Sequence, residues 1–98
     1  MAGPQPFKVI RSEKVRQELQ QSCASAKQMG LANQCAEALE TIEEKLQSEP
    51  TSWGDPLFDL NHLGLRVYRG WYSIFLVHYG VDLVRRVVVV REYKLINI

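Results

Sequence analysis

The sequence predicts an α+β domain with its helices first and its sheet after them, and three observations carry that prediction. Apolar residues recur at three- and four-residue spacing from Val15 to Leu46, the pattern of helices that bury one face. From Leu65 onward, β-branched and aromatic residues take over. Between the two stands Glu49-Pro50-Thr51-Ser52-Trp53-Gly54-Asp55-Pro56, a run of turn residues holding one large aromatic. The expected architecture is an N-terminal strand, an antiparallel helical hairpin and an antiparallel meander of three or four strands, in one domain spanning residues 1–98.

Taken in order, Gly3, Pro4 and Pro6 keep the start of the chain from being helical, and residues 1–5 are expected to be disordered. Phe7 to Ile10 reads as a short first strand. Ser12 is a natural N-cap, with Glu13 favourable in the first turn. Val15, Leu19, Cys23, Ala26 and Met29 then form one stripe of a helix that Gly30 ends. Leu31, Cys35, Ala38, Leu39, Ile42 and Leu46 repeat the stripe in a second helix that must stop before Pro50. So short a link at Gly30 makes the pair a hairpin, in which Cys23 and Cys35 can approach each other as reduced core thiols. Trp53 is expected to plug the edge of the domain. The stretch from Leu57 to Gly64 is ambiguous. Strands are expected over Leu65–Arg69, Trp71–Val81 and Val84–Arg91, broken at Gly70 and at Asp82-Leu83, and Tyr93–Ile98 is read as continuing the sheet. Val87 to Val90 is apolar on both faces, which suits a central strand.

Composition narrows the function classes. Twelve Lys and Arg against eleven Asp and Glu leave a net charge of +1, weak for holding a polyanion by counterion release. The second half is the more basic one: residues 51–98 carry six basic and four acidic side chains, the six being Arg66, Arg69, Arg85, Arg86, Arg91 and Lys94. Any anion-binding face is expected there. Two cysteines without Cys-x-x-Cys spacing and two histidines, His62 and His78, give no metal site, and no cofactor is expected. Gly-rich phosphate loops, Gly-x-Ser-x-Gly elbows and paired catalytic carboxylates are not found. The apolar stretches are too short to span a bilayer and Met1 to Gln5 has no leader pattern, so a cytoplasmic location is expected.

In its order of strand, helix, helix and three or more strands, the chain resembles the RelE/ParE superfamily of bacterial toxin–antitoxin modules. Leu46-x-x-x-Pro50 is similar to the segment before that family's sheet. Leu65-Arg66-Val67-Tyr68-Arg69-Gly70-Trp71-Tyr72-Ser73-Ile74 resembles its first hairpin, and Val87-Val88-Val89-Val90-Arg91 the strand carrying a late basic residue. The resemblance implies a RelE-like fold and a protein partner, an antitoxin whose extended and helical segments wrap the helical hairpin and a sheet edge. Strand addition at Phe7–Ile10 or Tyr93–Ile98, or a homodimer through the same edges, would follow.

Departures from the family bear on its chemistry. The Arg that follows the hairpin aromatic in members cutting messenger RNA on the ribosome is here Ser73. Where such members have a loop of lysines and arginines before that hairpin, Asp55–Gly64 contains no Lys or Arg, only His62. Metal-free RNA cleavage needs a base for the 2′-hydroxyl, cations on the phosphate and a donor for the leaving oxygen. Arg91, Arg66 and Tyr93 are the candidate catalytic residues, with His78 as a possible acid or base. Arg69, Arg85, Arg86 and Lys94 are the candidate phosphate- or RNA-binding residues. Arg66 and Arg69 lie three apart on one strand and so point to opposite faces. The leading expectation is therefore a toxin-like domain that works by protein binding without ribonuclease activity. The alternatives are a ribosome-dependent messenger RNA endonuclease and a ParE-type inhibitor of DNA gyrase.

Overall fold

The computed structural model describes residues 5–96. The chain runs through β1 (Lys8–Arg11), α1 (Glu13–Gln28), α2 (Ala32–Ser48), the single-turn α3 (Pro50–Trp53), β2 (Asp55–Leu60), a 3-10 turn (Asn61–Leu63), β3 (Leu65–Tyr72), β4 (Phe75–Asp82) and β5 (Val87–Leu95). The strands form one five-stranded sheet in the order β1-β5-β4-β3-β2. The domain is α+β, with the helices between the first strand and the other four. The expectation of disorder for residues 1–4, and of further strand for residues 97–98, lies outside the described residues. Gln5 is held, its carbonyl accepting from the Arg86 guanidinium.

Local signals account for the helices. The Ser12 hydroxyl accepts from the Val15 N–H at 3.2 Å and caps α1. Gly30 takes a left-handed φ of 76°, which a side chain would strain, and lets the chain reverse into α2. Val15 and Ala26 from α1, and Cys35, Ala38, Ile42 and Leu46 from α2, are buried. Met29 departs from the expected stripe at 49% exposed, because it sits at the C-cap, past the last helical residue. Pro50 ends α2 and, having no N–H to satisfy, opens α3.

Two corrections to the expected sheet have one origin. β2 lies at Asp55–Leu60, partly in the turn run and partly in the ambiguous stretch. β1 pairs parallel to β5, with Lys8 opposite Val87 and Arg11 opposite Val90, so the sheet is not wholly antiparallel. With a reversal at each connection, two helices and four strands after β1 give an even number of turns, and β5 must run alongside β1 in the same direction. A three-stranded meander would have left them opposed.

Gly70 does not break a strand. It lies inside β3, where a Cβ would come within 2.6 Å of the Trp53 ring. The hairpin turns instead at Ser73 and Ile74, with Ser73 at φ 54°. Likewise β5 starts at Val87 and not at Val84, since residues 83–86 form the turn and Arg86 takes φ 55°. β5 is internal along Val87–Val90, flanked by β1 and β4, whereas Tyr93–Leu95 pairs with β4 alone and leaves its other edge without a strand among the described residues, as expected of the C-terminal segment.

Residues in register on neighbouring strands share a face. Tyr68, Tyr79, Val90 and Arg11 make one row on the side that carries the helices. Trp53 caps that row: its ring stacks on Tyr79 and Tyr79 on Tyr68, each with centroids 5.5 Å apart. The Tyr79 hydroxyl donates to the Pro50 carbonyl at 2.6 Å and accepts from the Gly54 N–H at 3.0 Å, which fixes α3 to the sheet. Trp53 is thus the expected plug.

Candidate functional site

Among the described residues, the opposite face of the sheet carries no helix. Its rows are Phe58, Val67, Gly80, Val89 and Ile10; then Arg69, His78 and Glu92; then Trp71, Leu76 and Lys94. Ile10, Phe58 and Trp71 stand 41, 50 and 67% exposed, unusual for side chains of that size. Leu65 folds over Gly80, where an added Cβ would lie 3.2 Å from Cδ1, and closes part of the face.

A groove of about 740 Å³ lies at one end of this face, lined by Trp53, Asp55, Arg69, Trp71, Leu76 and Lys94 with the end of β5. The Trp71 indole N–H donates to the Ser73 carbonyl at 3.0 Å, which orients the ring on the hairpin. Neither Arg69 nor Lys94 forms an ion pair among the described residues. The groove thus offers an apolar floor flanked by two cations, with the Asp55 carboxylate in register beside Arg69. Beside it a smaller hollow of about 260 Å³ is lined by Phe58, Val67, His78, Arg91 and Glu92. There the His78 Nδ1 is buried without a hydrogen-bond partner among the described residues, and the Glu92 carboxylate stands 3.8 Å away. Rotation of that carboxylate would close the pair.

A bulge in β5 decides which candidate residues meet. His78 pairs with Glu92 and Tyr79 with Val90, so Arg91 is the extra residue between them. Arg91 consequently lines the open face with His78, whereas Tyr93 falls on the helix side. Tyr93 is 5% exposed, and its hydroxyl accepts from the Arg11 Nε at 2.8 Å. Burial pushes its phenol up, with the Arg11 hydrogen bond opposing. Arg11 also ion-pairs with Glu43 of α2, so the phenol belongs to a partly buried network that ties β1, β5 and α2 together.

Arg66 is on the helix side by register, opposite Val81, and pairs with Asp59 of β2 at 2.7 Å. It lies four residues along and two strands across from Tyr93, roughly 16 Å by strand rise and spacing. The structure therefore does not bring Arg91, Arg66 and Tyr93 together. Arg85 and Arg86 are also elsewhere, at the β4–β5 turn. Arg85 holds Asp82 at 3.5 Å, and the Arg86 guanidinium lies 4.2 Å over the Phe7 ring. The structure does gather Arg69, Lys94, Arg91 and His78 on one face, and adds Trp71, Phe58 and Glu92. Phe58 escaped the sequence reading because β2 did, and Glu92 because only the bulge places it opposite His78.

Among the described residues no group of three or more His, Cys, Asp or Glu is placed to hold a metal ion, and no helix is long and apolar enough to cross a membrane. The chain matches no family model and no curated protein.

Proposed function

We propose that this chain is a toxin-like domain of the RelE/ParE type that acts by binding a protein through the open face of its sheet, without ribonuclease activity. The order of strand, helix, helix and strands on which the resemblance rests supports the family reading. One observation carries the binding reading: the groove in which exposed Trp71 and Leu76 lie between Arg69 and Lys94. An apolar anchor flanked by Arg69 and Lys94, with Asp55 beside Arg69, suits a partner segment with a large apolar side chain next to a carboxylate that meets Lys94, an antitoxin-like peptide in family terms. Dispersal of Arg91, Arg66 and Tyr93 over two faces argues against that trio as a phosphate clamp and donor.

A second reading has its own observation. Arg69, His78, Glu92 and Arg91 lie together, and a histidine with a carboxylate 3.8 Å away and two guanidinium groups nearby supplies the kinds of group that metal-free RNA cleavage needs. Induced expression in bacteria, with growth followed and messenger RNA ends mapped, separates the two. Intact transcripts in the wild type and in Arg91→Ala agree with the binding reading. New transcript ends that vanish in Arg91→Ala and His78→Ala would replace it with the endonuclease.

A further inference from the structure

We propose that Cys23 and Cys35 are a redox site: a small-molecule disulfide such as oxidised glutathione converts them to a reversible disulfide that ties α1 to α2. The inference is independent of the proposed function and rests on the helical hairpin alone. The Cys35 thiol points at the Cys23 sulfur, 3.3 Å away. A disulfide bond of about 2.05 Å is reached from there by roughly one ångström of travel. The two sulfurs belong to different helices and are the only ones in cysteine in this chain, so neither has a competing partner within it.

Their unequal exposure sets the order of events. Cys23 is half-buried and the more exposed of the two, whereas Cys35 is 4% exposed. Cys23 loses its proton to solvent and its thiolate attacks one sulfur of the small disulfide. That S–S bond breaks, one small thiolate leaves and takes up a proton, and a mixed disulfide remains on Cys23. Cys35, deprotonated in turn, attacks the Cys23 sulfur and displaces the second small thiolate, which is also protonated. The protein has then lost two protons and two electrons, and the oxidant has become two thiols. A dithiol reverses both steps.

Because α1 packs on β5 and α2 packs on β1, a bond between the helices fastens the two supports of the sheet to each other. It shields no part of the open face, which lies across the sheet.

The test incubates the full chain with mixtures of reduced and oxidised glutathione and reads intact mass and free thiols, the latter in denaturant. The expected product is a monomer lighter by two hydrogens, free of glutathione and of titratable thiols, and restored by a dithiol. Cys35→Ser and Cys35→Ala should both stop at a stable glutathione adduct on Cys23. A stable adduct on the wild type, disulfide-linked dimers, or thiols untouched in an oxidising mixture would each overturn the proposal. The wild type alone separates these outcomes, so a poorly folded variant does not blunt the test.

Discussion

The two faces of the sheet are made by the same strands and have opposite characters. Under the helices, Tyr68, Val77, Tyr79, Val88, Val90 and Tyr93 are all 5% exposed or less, while across the sheet Trp71, Phe58 and Ile10 face solvent. On the covered face two of the phenols have internal uses: the Tyr79 hydroxyl anchors α3, and the Tyr93 hydroxyl receives Arg11. On the open face His78 Nδ1, Arg69 and Lys94 lack such partners among the described residues. Burial on one side provides the stability of the domain, which leaves the composition of the other side free for recognition.

The sharpest way to break this contrast is to truncate matched positions on the two faces. Tyr79→Ala removes a fully buried ring from a stack of three together with two hydrogen bonds, and it should cost about 3–5 kcal/mol in urea unfolding. Next in size is Gly70→Ala, whose methyl would press the Trp53 ring from beneath. A loss of about 1–3 kcal/mol is expected, with a change in tryptophan fluorescence as Trp53 lifts.

Raising the pH tests the buried groups on the helix side. Burial pushes the Tyr79 and Tyr93 phenols up, and burial with the neighbouring Cys23 thiol pushes Cys35 up to about 11. The unfolded chain releases these protons from about pH 8.5 for the thiol and about pH 10 for the phenols, while the native state still holds them. Stability from these groups is therefore complete below about pH 8.5 and declines as pH rises toward the folded values. A urea midpoint that holds or rises between about pH 8 and pH 11 would contradict the buried placement. The smallest effect is expected from Trp71→Ala, within about 0.5 kcal/mol, since most of that ring is already in water. If Trp71→Ala proves as costly as Tyr79→Ala, the open face is a second core and the contrast fails.

Helices were legible because their signals are local. Ser12 and Gly30 act on near neighbours in the chain, and the stripe from Val15 to Leu46 needs only helical periodicity. β2 was not legible: Asp55-Pro56 and Asp59 are poor strand formers, and Phe58 and Leu60 become strand only because β3 offers its edge. Gly70 read as a break for a similar reason, since its role is room for a tryptophan seventeen positions earlier in the chain. In the candidate site, strand alternation alone puts Arg91 and Tyr93 on one face and Glu92 on the other. One inserted residue separates Arg91 from Tyr93 and sets Glu92 beside Arg91, and no local pattern around Val87-Val88-Val89-Val90 announces it. The aromatic and basic membership of the sheet was visible, but its sorting between faces depended on cross-strand register.

The parallel pairing of β1 with β5 also governs how the molecule is made. Lys8 finds Val87 only across most of the chain, so the sheet cannot close as it is synthesised and its slowest contact is its most distant one. Until β1 docks, Val87–Val90 is an apolar strand with a bare edge, the kind of surface that pairs with another copy as readily as with its own first strand. Chaperone dependence and aggregation on overexpression should thus be governed by Lys8–Arg11, four residues that line no part of the groove.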